Sequence, residues 1–360
     1  MLMVQSIRLL TNINMILTPY NKQVLENKPL VDLLPMEIPF TMWVEPTNTC
    51  NFRCIFCPTG NKSLLSKVVR PAGFMDYDLY LKIIKDIIEL CKKYSGRLHR
   101  LHLYKDGEPL LHDKIDLMVL NAKKINLIDS VEITTNASLL TKDLSSRLIV
   151  SGLDSIRISI EHVNDNEYRK ITKSAVDYET IRSNVEFLFQ EKVKQCSKLH
   201  IHTKIIDTGL SEEEKNKFLS DFSGISDSIN IDNLMGWSKS FEKEICLDLS
   251  KVEKGMSGIA TRNERKVCPE PFTKLAVNFN GTVSVCCADW SHGTLVGDLK
   301  EENLLDIWNG EKLKSLRMLH LSGKREQIPS CCNCDYMKGF PEFTNLDRFS
   351  DTLIDKYKYK

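Results

Sequence analysis

The 360-residue chain is short of several things that would place it quickly. No run of about 18 consecutive apolar residues is present, so no segment reads as a membrane-spanning helix. The first 22 residues, MLMVQSIRLLTNINMILTPYNK, contain an early Arg8, but Thr11, Asn12 and Asn14 interrupt the apolar stretch. No small-residue cleavage site follows, so a secretory signal is not indicated and a reducing cytoplasm is expected. Charge of one sign is also missing: 49 Lys+Arg against 48 Asp+Glu leaves a formal net charge of +1. That balance gives no electrostatic case for nucleic acid or an anionic membrane as main partner. Tandem repeats and low-complexity tracts are absent. Apolar residues, 42% of the chain, recur throughout, which excludes disorder for most of it.

Cysteine is not scarce. Twelve are present, too few for a disulfide-stapled miniprotein and clustered in a way that suits metal binding in a reducing compartment. Cys50, Cys54 and Cys57 lie close together, as do Cys331, Cys332 and Cys334; Cys268, Cys286 and Cys287 fall between these groups. Solitary Cys91, Cys196 and Cys246 read as small buried hydrophobes.

Periodicity divides the chain. Residues 1–37 form a helical or irregular lead-in. From about 38 to 240, strands at 41–46, 98–104, 129–135, 155–161, 198–206 and 228–234 alternate with helices. The helix after Asp76 places Leu81, Ile84, Ile87, Ile88 and Cys91 on one face. Six βα units predict a parallel sheet, an open partial barrel of the (β/α)6 TIM type. After about 241 the pattern changes to a small α+β domain running to 350. There, 275–287 alternates around Asn280-Gly281 as a hairpin with a type I′ turn signal, and 303–321 reads as a helix broken near Gly310. Residues 351–360 read as a frayed tail.

CNFRCIFC, with Cys50-x3-Cys54-x2-Cys57, sits in a loop leaving a buried strand. Structural zinc normally takes four protein ligands, and no nearby fourth Cys or His completes the set. A [4Fe–4S] cubane held by three cysteines leaves one iron open to substrate or cofactor. This motif resembles that of the radical S-adenosylmethionine (SAM) superfamily, and further landmarks follow in order: DGEP at 106–109 where the family usually has GGEP, TTN at 134–136 followed by ASLL, and LDSIRISIEHVNDNEYRKI at 153–171.

The resemblance implies SAM bound to the open iron. Gly107, Glu108 and Pro109 match the element receiving its ammonium, and Ser159 and Arg169 the polar pair reaching its carboxylate or ribose. Phe56 matches the aromatic near the adenine, and Asn136 is a neighbour of the ribose. Strand-end capping is the plain alternative for Ser159 and Asn136. Asp106 departs from the family's glycine and adds an acid near this site.

Cys268, Gly281, Cys286 and Cys331-x2-Cys334 resemble the first half of the auxiliary domain called SPASM. No cysteine follows Cys334 in this sequence, so the shortened form called twitch is implied, with one auxiliary [4Fe–4S] cluster on Cys268, Cys286, Cys331 and Cys334. Four cysteines also fit structural zinc. Cys287 and Cys332 remain alternative ligands, packed thiols or hydrogen donors.

The family's chemistry is reductive cleavage of SAM to a 5′-deoxyadenosyl radical that abstracts hydrogen from a C–H bond, fed by a flavodoxin- or ferredoxin-type electron donor. The four-cysteine layout resembles that of aminocyclitol alcohol dehydrogenases, which favours oxidation of a sugar or cyclitol hydroxyl. Modification of a peptide by crosslinking, oxidation or epimerisation is the alternative; its leader-binding module is longer than residues 1–37. An alcohol oxidation needs a base near the target hydroxyl, and His202, Lys204, Asp207 and Lys239 are candidates to face the lumen.

Overall fold

The computed structural model describes residues 28–233, 264–332 and 334–358. Six parallel strands carry the first part: β1 Thr41–Val44, β2 Leu98–His102, β3 Ile128–Thr135, β4 Ser155–Ile160, β5 His200–Asp207 and β6 Ser228–Asn233. Between them run α1 Tyr77–Lys93, α2 Ile115–Lys124, α3 Lys142–Val150, α4 Asp165–Thr172, α5 Tyr178–Lys194 and α6 Glu212–Phe222. The helix α4, in an otherwise polar segment, buries Tyr168, Ile171 and Thr172 on one face. Asn164 starts it by accepting from the Asn166 and Glu167 amides.

Alternation along the strands sorts the side chains into two layers. Met42, Val44, Leu101, Val131, Ile133, Ile156, Ile158, Ile160, Ile201 and Ile205 join the helices in one apolar core. The alternate positions turn inward and are polar: Trp43 stacks on His102 at 4.4 Å, Arg100 pairs with Glu132 at 3.1 Å and Lys204 with Asp232 at 3.3 Å. The helix α1 docks through Tyr80, Ile83, Ile84, Ile87, Leu90 and Cys91. The expected stripe is thus rotated: Leu81 is exposed and Ile88 half-buried.

The sheet does not stop at β1. Strand β7, Lys274–Val277, lies parallel to β1 on its free side, with Trp43 beside Ala276 and Val44 beside Val277. Antiparallel β8, Thr282–Ser284, and β9, Leu295–Asp298, extend it, among the described residues, to nine strands in the order β6-β5-β4-β3-β2-β1-β7-β8-β9. The β7–β8 hairpin lacks the expected type I′ turn. Among its connecting residues only Gly281 has positive φ, +92°, whereas type I′ needs two such residues. The Gly281 amide instead donates to the Asn278 carbonyl.

Helices α7, Leu304–Asn309, and α8, Glu311–Leu321, meet at the extended Gly310. The C-terminal segment is a helix, α9, Ser350–Lys358, rather than a frayed tail. Its Leu353 and Tyr357 bury themselves against Leu30, Val31, Phe272 and Leu321, an apolar cluster too dispersed in sequence to be read there.

Cys91 is buried as expected, but Cys196 is exposed just past the end of α5. Cys246 and the boundary near 240 lie outside the described residues.

Candidate functional site

The C-terminal ends of the parallel strands converge on the first cysteine loop. Cys50, Cys54 and Cys57, all half-buried, follow β1. The loop is clamped by backbone: the Arg53 and Ile55 amides donate to the Thr172 and Ile171 carbonyls at the end of α4, at 2.7 and 2.9 Å. Phe56 is buried against Ile171, Cys54, Cys57 and Ile206. The Asn136 amide nitrogen Nδ2 lies 4.0 Å from the Cys50 sulfur and 3.0 Å from Asn51 Oδ1.

Gly107 is wedged against the exit of β1. A β-carbon there would lie 2.4 Å from the carbonyl oxygens of both Thr47 and Thr49. The Glu108 carboxylate accepts from the Leu110 amide at 3.0 Å, Thr135 Oγ1 at 2.7 Å and the Asn136 amide at 2.8 Å. It therefore ties the ends of β2 and β3 together, and little of its acceptor capacity is left for an incoming ammonium. Burial raises its pKa to about 7. Pro109 opens the buried single turn Pro109–Leu111.

Ser159 lies on the lumen side of β4, between Arg157 and Glu161 in the alternation. Arg169 stands apart: its guanidinium pairs with Asp177 and is about half exposed. Asp106 pairs with Lys105 and Arg70, at 2.5 and 3.3 Å.

Of the four base candidates, His202 and Lys204 face the lumen. His202 Nδ1 meets Ser228 Oγ at 2.8 Å, and burial, helped by Arg157, lowers its pKa to about 4. Asp207 turns away and caps its own loop, accepting from the Gly209 and Leu210 amides and pairing with Lys215. Lys239 lies outside the described residues. Glu161, at the exit of β4, reads in sequence as one more polar alternate. It is buried, its Oε2 has no hydrogen-bond partner among the described residues, and burial, countered by Lys204, puts its pKa at about 7.

The second set comes together as well. Cys268, Cys286, Cys331 and Cys334 line one cavity with Glu270, Asp289 and His320. Cys287 does not line it; its sulfur lies 3.8 Å from the Tyr336 hydroxyl. Cys332 is also outside the lining.

Both sets offer the thiolate donors of an iron–sulfur cluster. Thiolates about 2.3 Å from one tetrahedral zinc stand roughly 3.8 Å apart. Among the described residues, no three sulfurs of either set lie within 4.8 Å of one another. Burial pushes the thiols of Cys50 and Cys331 up to about 12 and that of Cys334 to about 11. Such sulfurs become thiolates when a cationic centre takes up their charge.

The chain matches the family model of the radical SAM superfamily over residues 44–217 and that of an iron–sulfur cluster-binding domain, SPASM, over 268–335. Among curated proteins it is 27% identical to GTP 3′,8-cyclase of Clostridium botulinum over 179 residues, 49% of this chain and 50% of that one. It thus spans about half the length of these relatives. It is 24% identical to the S-adenosyl-L-methionine-dependent 2-deoxy-scyllo-inosamine dehydrogenase of Niallia circulans, over 81% of this chain and 91% of that one. Among solved structures, BtrN in complex with AdoMet and 2-DOIA matches with a TM-score of 0.52 and 19% identity, over 86% of this chain and 99% of that one. SuiB of Streptococcus suis bound to precursor peptide SuiA matches with a TM-score of 0.57 and 16% identity, over 95% and 83%. At these identities the two structures speak for the fold. Among the described residues no helix is long and apolar enough to cross a membrane. The chain belongs to the radical SAM superfamily, with a SAM-binding [4Fe–4S] cluster and a C-terminal SPASM domain for an auxiliary iron–sulfur cluster.

Proposed function

We propose that this enzyme oxidises a hydroxyl-bearing sugar or cyclitol to the carbonyl compound. Cys50, Cys54 and Cys57 hold the SAM-ligating cluster; Cys268, Cys286, Cys331 and Cys334 hold the auxiliary one. When bound, the first centre supplies, through SAM, the 5′-deoxyadenosyl radical that takes a hydrogen atom from a C–H bond. Phe56 packs beside the cofactor, the Gly107–Pro109 turn and Asn136 border it, and Ser159 faces it from β4. Arg169 reaches it by exchanging Asp177 for the cofactor's carboxylate. Glu161 takes the proton of the substrate hydroxyl, and Arg157, His202 and Lys204 offer the lumen's polar contacts. A flavodoxin- or ferredoxin-type protein supplies the initiating electron.

The observation carrying this reading is the four-cysteine cavity. Four protein sulfurs leave no open iron for substrate, so the natural role of the centre is to accept an electron from outside its ligand shell. The charged and hydroxyl-bearing inward positions of β2 to β6 suit a small polyhydroxylated molecule. Peptide modification is the second reading, favoured by the structural match to a peptide-bound relative over most of both chains.

Anaerobic reconstitution with iron counting tests the assignment. About eight irons per chain are expected in the parent, and about four when Cys50, Cys54 and Cys57 are all alanine. No iron in that variant would remove the electron-accepting role. Incubation with SAM, reductant and an aminocyclitol panel is then expected to give a product two mass units lighter alongside 5′-deoxyadenosine.

A further inference from the structure

Asp106 stands where the motif usually has glycine, and its surroundings give the substitution a purpose. Its side chain is fully buried, as is that of Lys105, and that of Arg70 is 3% exposed. Lys105 Nζ, 2.5 Å from Asp106 Oδ2, also donates to the Asp289 carbonyl at 3.1 Å. Arg70 Nη1 donates to the Trp290 carbonyl at 2.7 Å. Glu45 braces the group by accepting from the amides of Asp106, at 3.2 Å, and of Phe279, at 3.1 Å.

On one side this group reaches the first cysteine set. Thr59 Oγ1 donates to the Asp106 carbonyl at 3.1 Å and lies 3.0 Å from the Cys57 sulfur. On the other it reaches the second, because Asp289 lines the four-cysteine cavity. Cys57 and Asp289 are thus joined through Thr59, Asp106 and Lys105 by links no longer than 3.1 Å. Glu45, Asp106 and His292 also bring possible metal-ligating atoms within 4.8 Å of one another. A cation there would have to displace Lys105 and Arg70 from Asp106, so this group reads as an ion cluster and not as a metal site.

We infer that Lys105, Asp106 and Arg70 form a charged bridge between the two cysteine sites that sets how readily the auxiliary centre accepts an electron. The inference rests on the reading above, in which that centre occupies the four-cysteine cavity. Oxidation of the substrate removes one hydrogen atom to the adenosyl radical, one proton to Glu161 and one electron to the auxiliary centre. The last step adds a negative charge beside Asp289. The Lys105 ammonium, bonded to the carbonyl of Asp289 on the wall of that cavity, favours the reduced state; Asp106 moderates the bias by pairing with it. Burial keeps both effects from being screened. These are positioning residues, since none of them meets the substrate.

The test is a redox titration of the auxiliary centre, read by its electron paramagnetic resonance signal in full-length protein whose Cys50, Cys54 and Cys57 are alanine. Lys105→Met is expected to shift the midpoint to more negative potential and Asp106→Asn to more positive, at unchanged iron per chain; Lys105→Arg is expected to keep the parent value. Should Lys105→Met fail to load iron, Arg70→Met replaces it with the same negative shift expected. Midpoints equal to the parent, or shifts in one common direction, overturn the inference while leaving the function intact. Absence of any iron signal before these changes are made overturns the underlying reading, and the inference with it.

Discussion

Gly107 lies hard against Thr49: the carbonyl of Thr49 accepts the amide of the next residue, Glu108, at 2.9 Å, and the same oxygen lies 2.4 Å from where a Gly107 β-carbon would stand. Only hydrogen fits at that position. Gly107→Ala must push the β2 exit away from β1, at a cost of about 1–3 kcal/mol. It would also displace Glu108 and Asn136. Thermal unfolding is expected to show the loss of stability, and 5′-deoxyadenosine formation to fall at least tenfold. A variant with parental stability and turnover would show that the loop yields freely.

The ligand assignment separates the neighbouring cysteines. Cys334 lines the auxiliary cavity, whereas Cys287 and Cys332 do not. Cys334→Ala should lose about half of the bound iron. Cys287→Ala and Cys332→Ala should keep all of it. Iron loss in Cys287→Ala comparable to that in Cys334→Ala would exchange their roles.

Glu161 makes stability depend on pH. Its carboxyl titrates near 7 in the folded chain against 4.5 ordinarily, with burial as the main cause. Between those values the folded state binds the extra proton, so this group lowers stability as pH rises from about 4.5 to 7. The full penalty, on the order of 3 kcal/mol, is present above that window. Denaturant unfolding of Glu161→Gln should lose this pH dependence. The same variant should still cleave SAM but form little oxidised product; unchanged product formation would remove Glu161 as proton acceptor.

The C-terminal helix α9 is structural. Leu353 is wholly buried in the cluster that also holds Leu30 and Phe272. Leu353→Ala should cost about 2–5 kcal/mol, measured by urea unfolding. A cost below 0.5 kcal/mol would mean that the helix is only loosely docked.

Sequence reading and structure agree where local signals are strong. Six strands were legible because Ile, Val and Leu alternate with polar residues, and the cysteine loop because its spacing is specific. What stayed hidden depends on contacts between distant segments. The apolar half of Leu353's surroundings comes from residues 30 and 31 and from 272 and 321. The seventh parallel strand, β7, is only four residues long and looks like half of a local hairpin until β1 is beside it. The ion pairing of Asp106 is hidden in sequence because its partners, Lys105 excepted, are remote from it. The rotated face of α1 arose from a helix with more apolar residues than one face can take.

Strand β7 also bears on any attempt to dissect the protein. Its backbone occupies the otherwise open side of β1, along all four residues from Thr41 to Val44. A shortened polypeptide ending before residue 270 would leave those amides and carbonyls unpaired, next to an apolar strand, ready to recruit another chain. The catalytic barrel and its auxiliary partner are therefore best expressed as one piece, and a soluble half-length fragment would be the unexpected outcome.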